Sequence, residues 1–168
     1  LPDDGLLIPS LTLLASEMQE RRPGKEQAQV EVLQKDALAW LPTEDYGSDV
    51  IKAGCDMNVL DRKDRLHIRY YHQLIQEFFA ARKLAREPKS DLVRVEWHVD
   101  HVSPTLAETL ERIADSDPLP LLPGTGWEET TIMAAAMSAD QQDAFVRGLL
   151  DANLPLAGRC AAAPDVNV

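Results

Sequence analysis

The chain has 168 residues and a formal net charge of −11, with a pI near 4.7. So acidic a surface repels a phosphate backbone unless a basic patch is set into it. Hydrophobic residues make up 45% of the chain, enough for a core. No apolar run reaches the ~20 residues of a membrane-spanning helix. Cys55 and Cys160 have neither CxxC nor metal-ligand spacing, so partners of nucleic-acid, membrane and structural-metal type are not expected. Two lone cysteines fit a reducing, cytoplasmic setting, where they are buried fillers. The start at Leu1-Pro2-Asp3-Asp4-Gly5, without Met, reads as an internal piece of a longer protein.

The first predicted helix covers about 6–22, with Leu7, Leu11, Leu14 and Met18 on one face. Arg21 and Arg22 suit its last turn, and Pro23-Gly24 stops it. A second helix is predicted over 29–41 from Val30, Leu33, Ala37 and Leu41. Thr43 is placed to cap a third, about 44–56, which carries Gly47 and Gly54 and few strong formers. The period then changes to two. Val59-Leu60 and the alternating Leu66, Ile68 and Tyr70 predict a short β-hairpin around the charged turn Arg62-Lys63-Asp64-Arg65. A fourth helix follows at about 72–85, with Leu74, Phe78, Ala81 and Ala85 as its stripe. Three helices, a hairpin and a further helix are the parts of a winged-helix domain, assigned here to residues 1–86.

Residues 87–126 read as a linker with one short helix. Ser103-Pro104 starts that helix, and Leu106, Leu110 and Ile113 form its face. The Pro-rich stretch from Asp117 to Gly124 is predicted to be stiff and extended. Residues 127–168 are helical again. A helix runs from Trp127 to Met137. Ser138 and Gln141 form a capping box for the next, which carries Phe145, Leu149 and Leu150 inward as far as Ala152. A third covers 154–162, before a frayed end. Tight turns between short helices predict the start of a helical repeat array. The fold class is therefore mainly α.

Catalytic motifs are missing. The chain has no GxxxxGK(S/T) phosphate loop, nucleophile elbow or HExxH, and Pro23-Gly24-Lys25-Glu26 lacks the glycine and hydroxyl of a phosphate loop. Independent enzymatic activity is not expected. Glu96, His98, Asp100 and His101 are the one group of metal-type ligands. In an extended segment the two histidines point to opposite faces; in a turn they converge, but without an obvious further ligand set, so no metal is assigned to them.

The informative stretch is Tyr70-Tyr71-His72-Gln73-Leu74-Ile75-Gln76-Glu77-Phe78-Phe79-Ala80-Ala81. It resembles the end of the winged-helix domain in bacterial NACHT-type signal-transduction ATPases of the STAND class, which read aromatic-x-His, three residues, then Gln-Glu-aromatic-Phe-Ala-Ala. The matching residues are Tyr70, His72, Gln76, Glu77, Phe78, Phe79, Ala80 and Ala81. The resemblance spans about residues 6–86. A looser likeness, in Trp127-Glu128-Glu129-Thr130 and Asn153–Cys160, extends to the helical sensor region that follows in such proteins.

The resemblance implies that the parent chain is an ATPase using ADP or ATP with magnesium, held by a nucleotide-binding domain upstream. His72 would contact the β-phosphate of ADP and latch the winged helix closed, an imidazole N–H and a helix N-terminus both favouring an anion. Exchange for ATP would release the latch. Gln76 and Glu77 are expected to bond to backbone or solvent, with Phe78 and Phe79 in the core or a domain interface. A protein partner or self-assembly through the helical part is implied, and relatives include antiviral defence proteins. Two other readings compete. One is a DNA-binding winged helix, whose third helix would have to enter the major groove. It carries Glu44, Asp45, Asp49 and Asp56 against Lys52, the wrong sign for phosphate, and only Arg62, Lys63, Arg65 and Arg69 of the hairpin form a basic cluster. The other is a plain protein–protein adaptor.

Overall fold

Leucine spacing in the first helix sets the position of the core. In a computed structural model, which describes residues 4–22, 30–42, 44–95, 111 and 124–162, α1 (Asp4–Glu20) buries Leu11, Leu14 and Met18 completely. These side chains recur at helical spacing, so one stripe of α1 removes them all from water. Next come β1 (Glu31–Leu33), α2 (Gln34–Trp40), α3 (Glu44–Asp56), β2 (Leu60–Arg62), β3 (His67–Tyr70) and α4 (Gln73–Arg86). A 3-10 turn spans Ser90–Val93. Beyond it are α5 (Glu128–Met137), a second 3-10 turn (Ala139–Gln141), α6 (Gln142–Leu149) and α7 (Leu154–Ala161). The described residues are thus mainly helical, with one small antiparallel sheet of order β1-β3-β2. Among them, no helix is long and apolar enough to cross a membrane.

The hairpin pairs Leu60 with Tyr70, Asp61 with Arg69 and Arg62 with Ile68. Period two places Ile68 and Tyr70 on the core face, both fully buried. Leu66, expected inside with them, lies before β3 and is 65% exposed. The hairpin turn is fixed by Asp64, whose carboxylate accepts from the backbone N–H of Leu66 (2.7 Å) and of His67 (2.8 Å) and from the His67 ring. Those bonds hold the Asp64 carboxyl down at about 2.

The second helix is shorter than its spacing predicts. Val30-Glu31-Val32-Leu33 forms an approach and strand, pairing Val32 with Ile68, and α2 begins only at Gln34. Val30 and Leu33 fit a helical stripe and a strand run equally well, and a free edge on β3 decides between them.

Two further expectations shift. Ser138 does not cap α6: its hydroxyl donates back to the Ala134 carbonyl (2.7 Å), Ala139 takes a left-handed φ of 45°, and the helix starts at Gln142. Leu150, expected inside, is 45% exposed because α6 ends at Leu149. α7 is capped by Asn153, whose side-chain oxygen accepts from the Leu156 N–H (3.1 Å), with Pro155 in the first turn. Thr43, Glu96, His98, Asp100, His101, the short helix over Leu106 and Leu110, most of the Pro-rich stretch and residues 163–168 lie outside the described residues.

α4 is the shared element. It packs along α1 and along α5, and buried residues of all three belong to one continuous cluster that also takes in Val93, Trp127, Phe145 and Leu156. Asn153 donates to the Val93 carbonyl (3.1 Å), and the Val95 N–H to the Ala152 carbonyl (3.1 Å), tying the turn after α4 to the turn before α7.

Candidate functional site

The motif from Tyr70 to Ala81 runs from the end of β3 into α4. Tyr70 is fully buried, and its hydroxyl donates to the Leu11 carbonyl of α1. Burial pushes its phenol well above the usual value. Its ring lies 6.0 Å from Phe79, which in turn meets Phe78 edge-on at 5.5 Å. Phe79 is buried and Phe78 half-buried.

The buried face of α4 is not the expected stripe. Gln76, Glu77, Phe79, Ala80, Ala81 and Leu84 are inside, while Leu74 is 70% exposed. The helix is turned by about a quarter revolution from the face that Leu74, Phe78, Ala81 and Ala85 define. The cause is the two-sided packing. Against α5 the helix presents small residues, and α5 answers with Thr130, Thr131, Ala134 and Ala135, all at 1% exposure or less. Small side chains on both helices permit close approach, so apolar bulk is a poor guide to this interface.

Gln76 and Glu77, expected on backbone or solvent, are instead side-chain partners inside the core. The Gln76 amide donates to the Gln19 side-chain oxygen of α1 (2.9 Å). The Gln19 amide donates to the Thr130 hydroxyl of α5 (3.2 Å) and to the Gly126 carbonyl (3.2 Å). A carbonyl can only accept, so Gly126 fixes the orientation of the Gln19 amide, and that in turn obliges Gln76 to donate. Glu77 accepts from Gln73 (2.6 Å) and is held above the usual carboxylate range, chiefly by burial. At the entrance to α5, the Glu128 carboxylate accepts from the N–H groups of Thr125 and Gly126 and from the Thr125 hydroxyl. Burial opposes ionisation of Glu128, but these hydrogen bonds prevail and lower its pKa.

His72 is the exception within the motif. It occupies the N-cap of α4 with an extended backbone (φ −131°, ψ 146°), and its carbonyl accepts from the N–H of Ile75 (3.1 Å) and Gln76 (3.3 Å). Its side chain makes no capping bond and is exposed. The ring stands edge-on to Tyr71, 4.8 Å between centroids at 87°. No acidic residue lies in the first turn of α4, so the positive end of the helix is not internally compensated. Tyr71 and Leu74 beside it are 49% and 70% exposed.

Among the described residues, no group of three or more His, Cys, Asp or Glu side chains could hold a metal ion. Cys55 is half-buried and Cys160 buried, and burial pushes the Cys160 thiol up to about 11. Comparison with known protein families, curated proteins and solved structures found no match.

Sequence reasoning singled out His72 but missed the Gln19–Gln76–Thr130 chain. Its one sequence signal is a glutamine on the flank of an otherwise apolar stripe in α1, and glutamine there is ordinarily a solvated residue.

Proposed function

We propose that residues 1–86 form a winged-helix domain, and residues 127–168 the start of a helical sensor region, of a NACHT-like nucleotide-switched signalling ATPase. In this reading the chain is a regulatory part rather than a catalyst. It holds a closed, ADP-bound state through His72 and relays a signal between the nucleotide domain upstream and the sensor helices. The element order α1-β1-α2-α3-β2-β3 and the strand order β1-β3-β2 support the winged helix.

One observation carries the nucleotide reading. The other residues that match the motif, Tyr70, Gln76, Glu77, Phe78, Phe79, Ala80 and Ala81, are buried or half-buried, while His72 stands exposed at a helix N-terminus with no capping bond. An imidazole and an uncompensated helix end suit a phosphate oxygen. Exposed Tyr71 and Leu74 on either side suit contact with a second domain. The chain has no phosphate loop, so His72 would add one contact to a nucleotide held elsewhere.

Charge favours this role over DNA binding. Two of the four hairpin cations are engaged within the sheet: Lys63 pairs with Glu31 (2.6 Å), and Arg69 with Asp61 (2.8 Å) and Glu31 (3.6 Å). The test is ADP binding, by calorimetry, to a chain extended upstream through the nucleotide domain, with and without His72→Ala. A loss of ~1.5–3 kcal/mol is expected, the size of a charge-assisted hydrogen bond, together with raised basal activation. Unchanged ADP affinity and unchanged basal activity would sink the latch.

A further inference from the structure

Arg82 and Arg86 lie one turn apart on α4, about 15 Å and about 21 Å along the helix from His72. Both line an open groove of about 430 Å³ between the C-terminal end of α4 and the turn from α5 to α6, with Ser138 and Gln141 on the opposite wall. In a chain of net charge −11, neither guanidinium has a carboxylate within ion-pair distance among the described residues. The Arg82 side chain is half-buried with its guanidinium carbon 5.9 Å from the Phe78 ring, and its Nε is buried without a hydrogen-bond acceptor among the described residues. Helix-end electrostatics accounts for Arg86, in the last turn. It does not account for a buried, unpaired Nε one turn earlier, since buried donors are ordinarily satisfied.

The groove adjoins a second, narrower cavity of about 220 Å³. Ala85, Ser138 and Gln141 line both, and the second cavity is walled by Leu84, Phe145 and Leu149 together with the polar Lys89, Ser90 and Thr131. Its volume is large enough for a ring or a short alkyl group.

We propose that this composite site binds a small phosphate monoester with an apolar body. Arg82 and Arg86 would hold the phosphate, and a ring or short alkyl group would enter the cavity under Phe145 and Leu149. Two guanidiniums match a dianion, whereas a monocarboxylate leaves one of them uncompensated. Planar guanidinium donors also suit the oxygens of a phosphate. Gln141 on the other wall would add an amide donor.

The test is calorimetric titration of the 168-residue chain with phenyl phosphate and with inorganic phosphate. Phenyl phosphate should bind saturably and more tightly than inorganic phosphate. Arg86→Gln, at an exposed position, should weaken it about tenfold or more, the effect of losing one charge-assisted contact. Arg82→Gln should do the same, with an unchanged circular dichroism spectrum as the check on folding. Arg65→Gln, on the hairpin turn, should leave binding unchanged. Failure of phenyl phosphate to saturate, or equal weakening by all three substitutions, overturns the site. Equal affinity for the two probes overturns the apolar half of the proposal.

Discussion

Glu77 places a carboxylate where a core residue belongs. It is 4% exposed, its partner is the neutral Gln73, and the charges nearest in effect, Arg22 and Glu129, oppose one another. Burial therefore decides the direction, and the folded pKa lies above the ordinary 4.5. The native state then binds the proton more tightly than the unfolded chain. The stability this group contributes is fully present below about 4.5 and is lost as pH rises through the raised folded value. Asp64 has the opposite sign. Its pKa is held at about 2 by backbone and His67 hydrogen bonds, so its contribution is present above 3.8 and fades as pH falls toward 2. Glu77→Gln keeps an oxygen for Gln73 and removes the titration. It should raise the thermal midpoint at pH 7 and flatten its dependence on pH between 4 and 8. A variant that melts lower at pH 7 would mean that the ionised carboxylate is needed, with Arg22 as the group to examine next.

At the scale of elements, α3 shows why a helix poor in strong formers still forms. A Cβ on Gly54 would come within 2.7 Å of Leu60 Cδ1, and one on Gly47 within 3.0 Å of Leu38 Cδ2. Leu60 is 2% exposed and has little room to move. Both glycines thus serve close packing of α3 rather than flexibility. Gly54→Ala gains about 1 kcal/mol of helix propensity but overpacks Leu60, which costs ~1–3 kcal/mol, and the net effect in denaturant titration should be destabilising. Gly158 in α7 has nothing within 4 Å of an added Cβ. There Gly158→Ala should stabilise by ~0.5–1 kcal/mol, and two effects of the same sign would contradict this account of α3. The contrast also marks what the sequence makes legible. Stripes of large apolar residues, as in α1, and the alternation at Ile68 and Tyr70 identify their elements directly. The strand at Glu31–Leu33 does not announce itself, because its pattern also fits a helix and only pairing with β3 selects the strand. The rotation of α4 is equally hidden: its buried residues include alanine, glutamine and glutamate beside Phe79 and Leu84, and the one leucine of its apparent stripe faces water. The motif draws attention to His72, and the structure adds its exposure at the N-cap of α4. The Arg82–Arg86 groove is not legible in the sequence, since its opposite wall comes from a turn more than fifty residues further along.

Across the whole molecule, α4 joins two parts of the chain that the sequence separates with a Pro-rich stretch. Gln19 is bonded at once to Gln76 of α4, to Thr130 of α5 and to the Gly126 carbonyl before α5, and all three of these side chains are at most 3% exposed. Such a chain is well placed to couple the helices, because its breakage leaves buried polar groups unpaired on both sides. Gln19→Leu strands the buried Gln76 amide and removes the donor to the buried Thr130 hydroxyl, at ~1–3 kcal/mol for each buried group left unpaired. Gln76→Leu strands only the Gln19 oxygen and also removes a buried Oε1 that has no donor, so its loss should be the smaller. In the double variant two partners are replaced by apolar groups of similar size, and the combined loss should fall short of the sum by ~0.5–3 kcal/mol, the range for directly coupled neighbours. Chemical denaturation of the four proteins closes the cycle. A single transition in each, with losses that do not add, would make α5–α7 part of the same cooperative unit as α1 and α4, which the proposed relay between the later helices and the His72 end of α4 requires. Additive losses, or a separate early transition for α5–α7, would mean that the polar chain only fills space between units that melt independently.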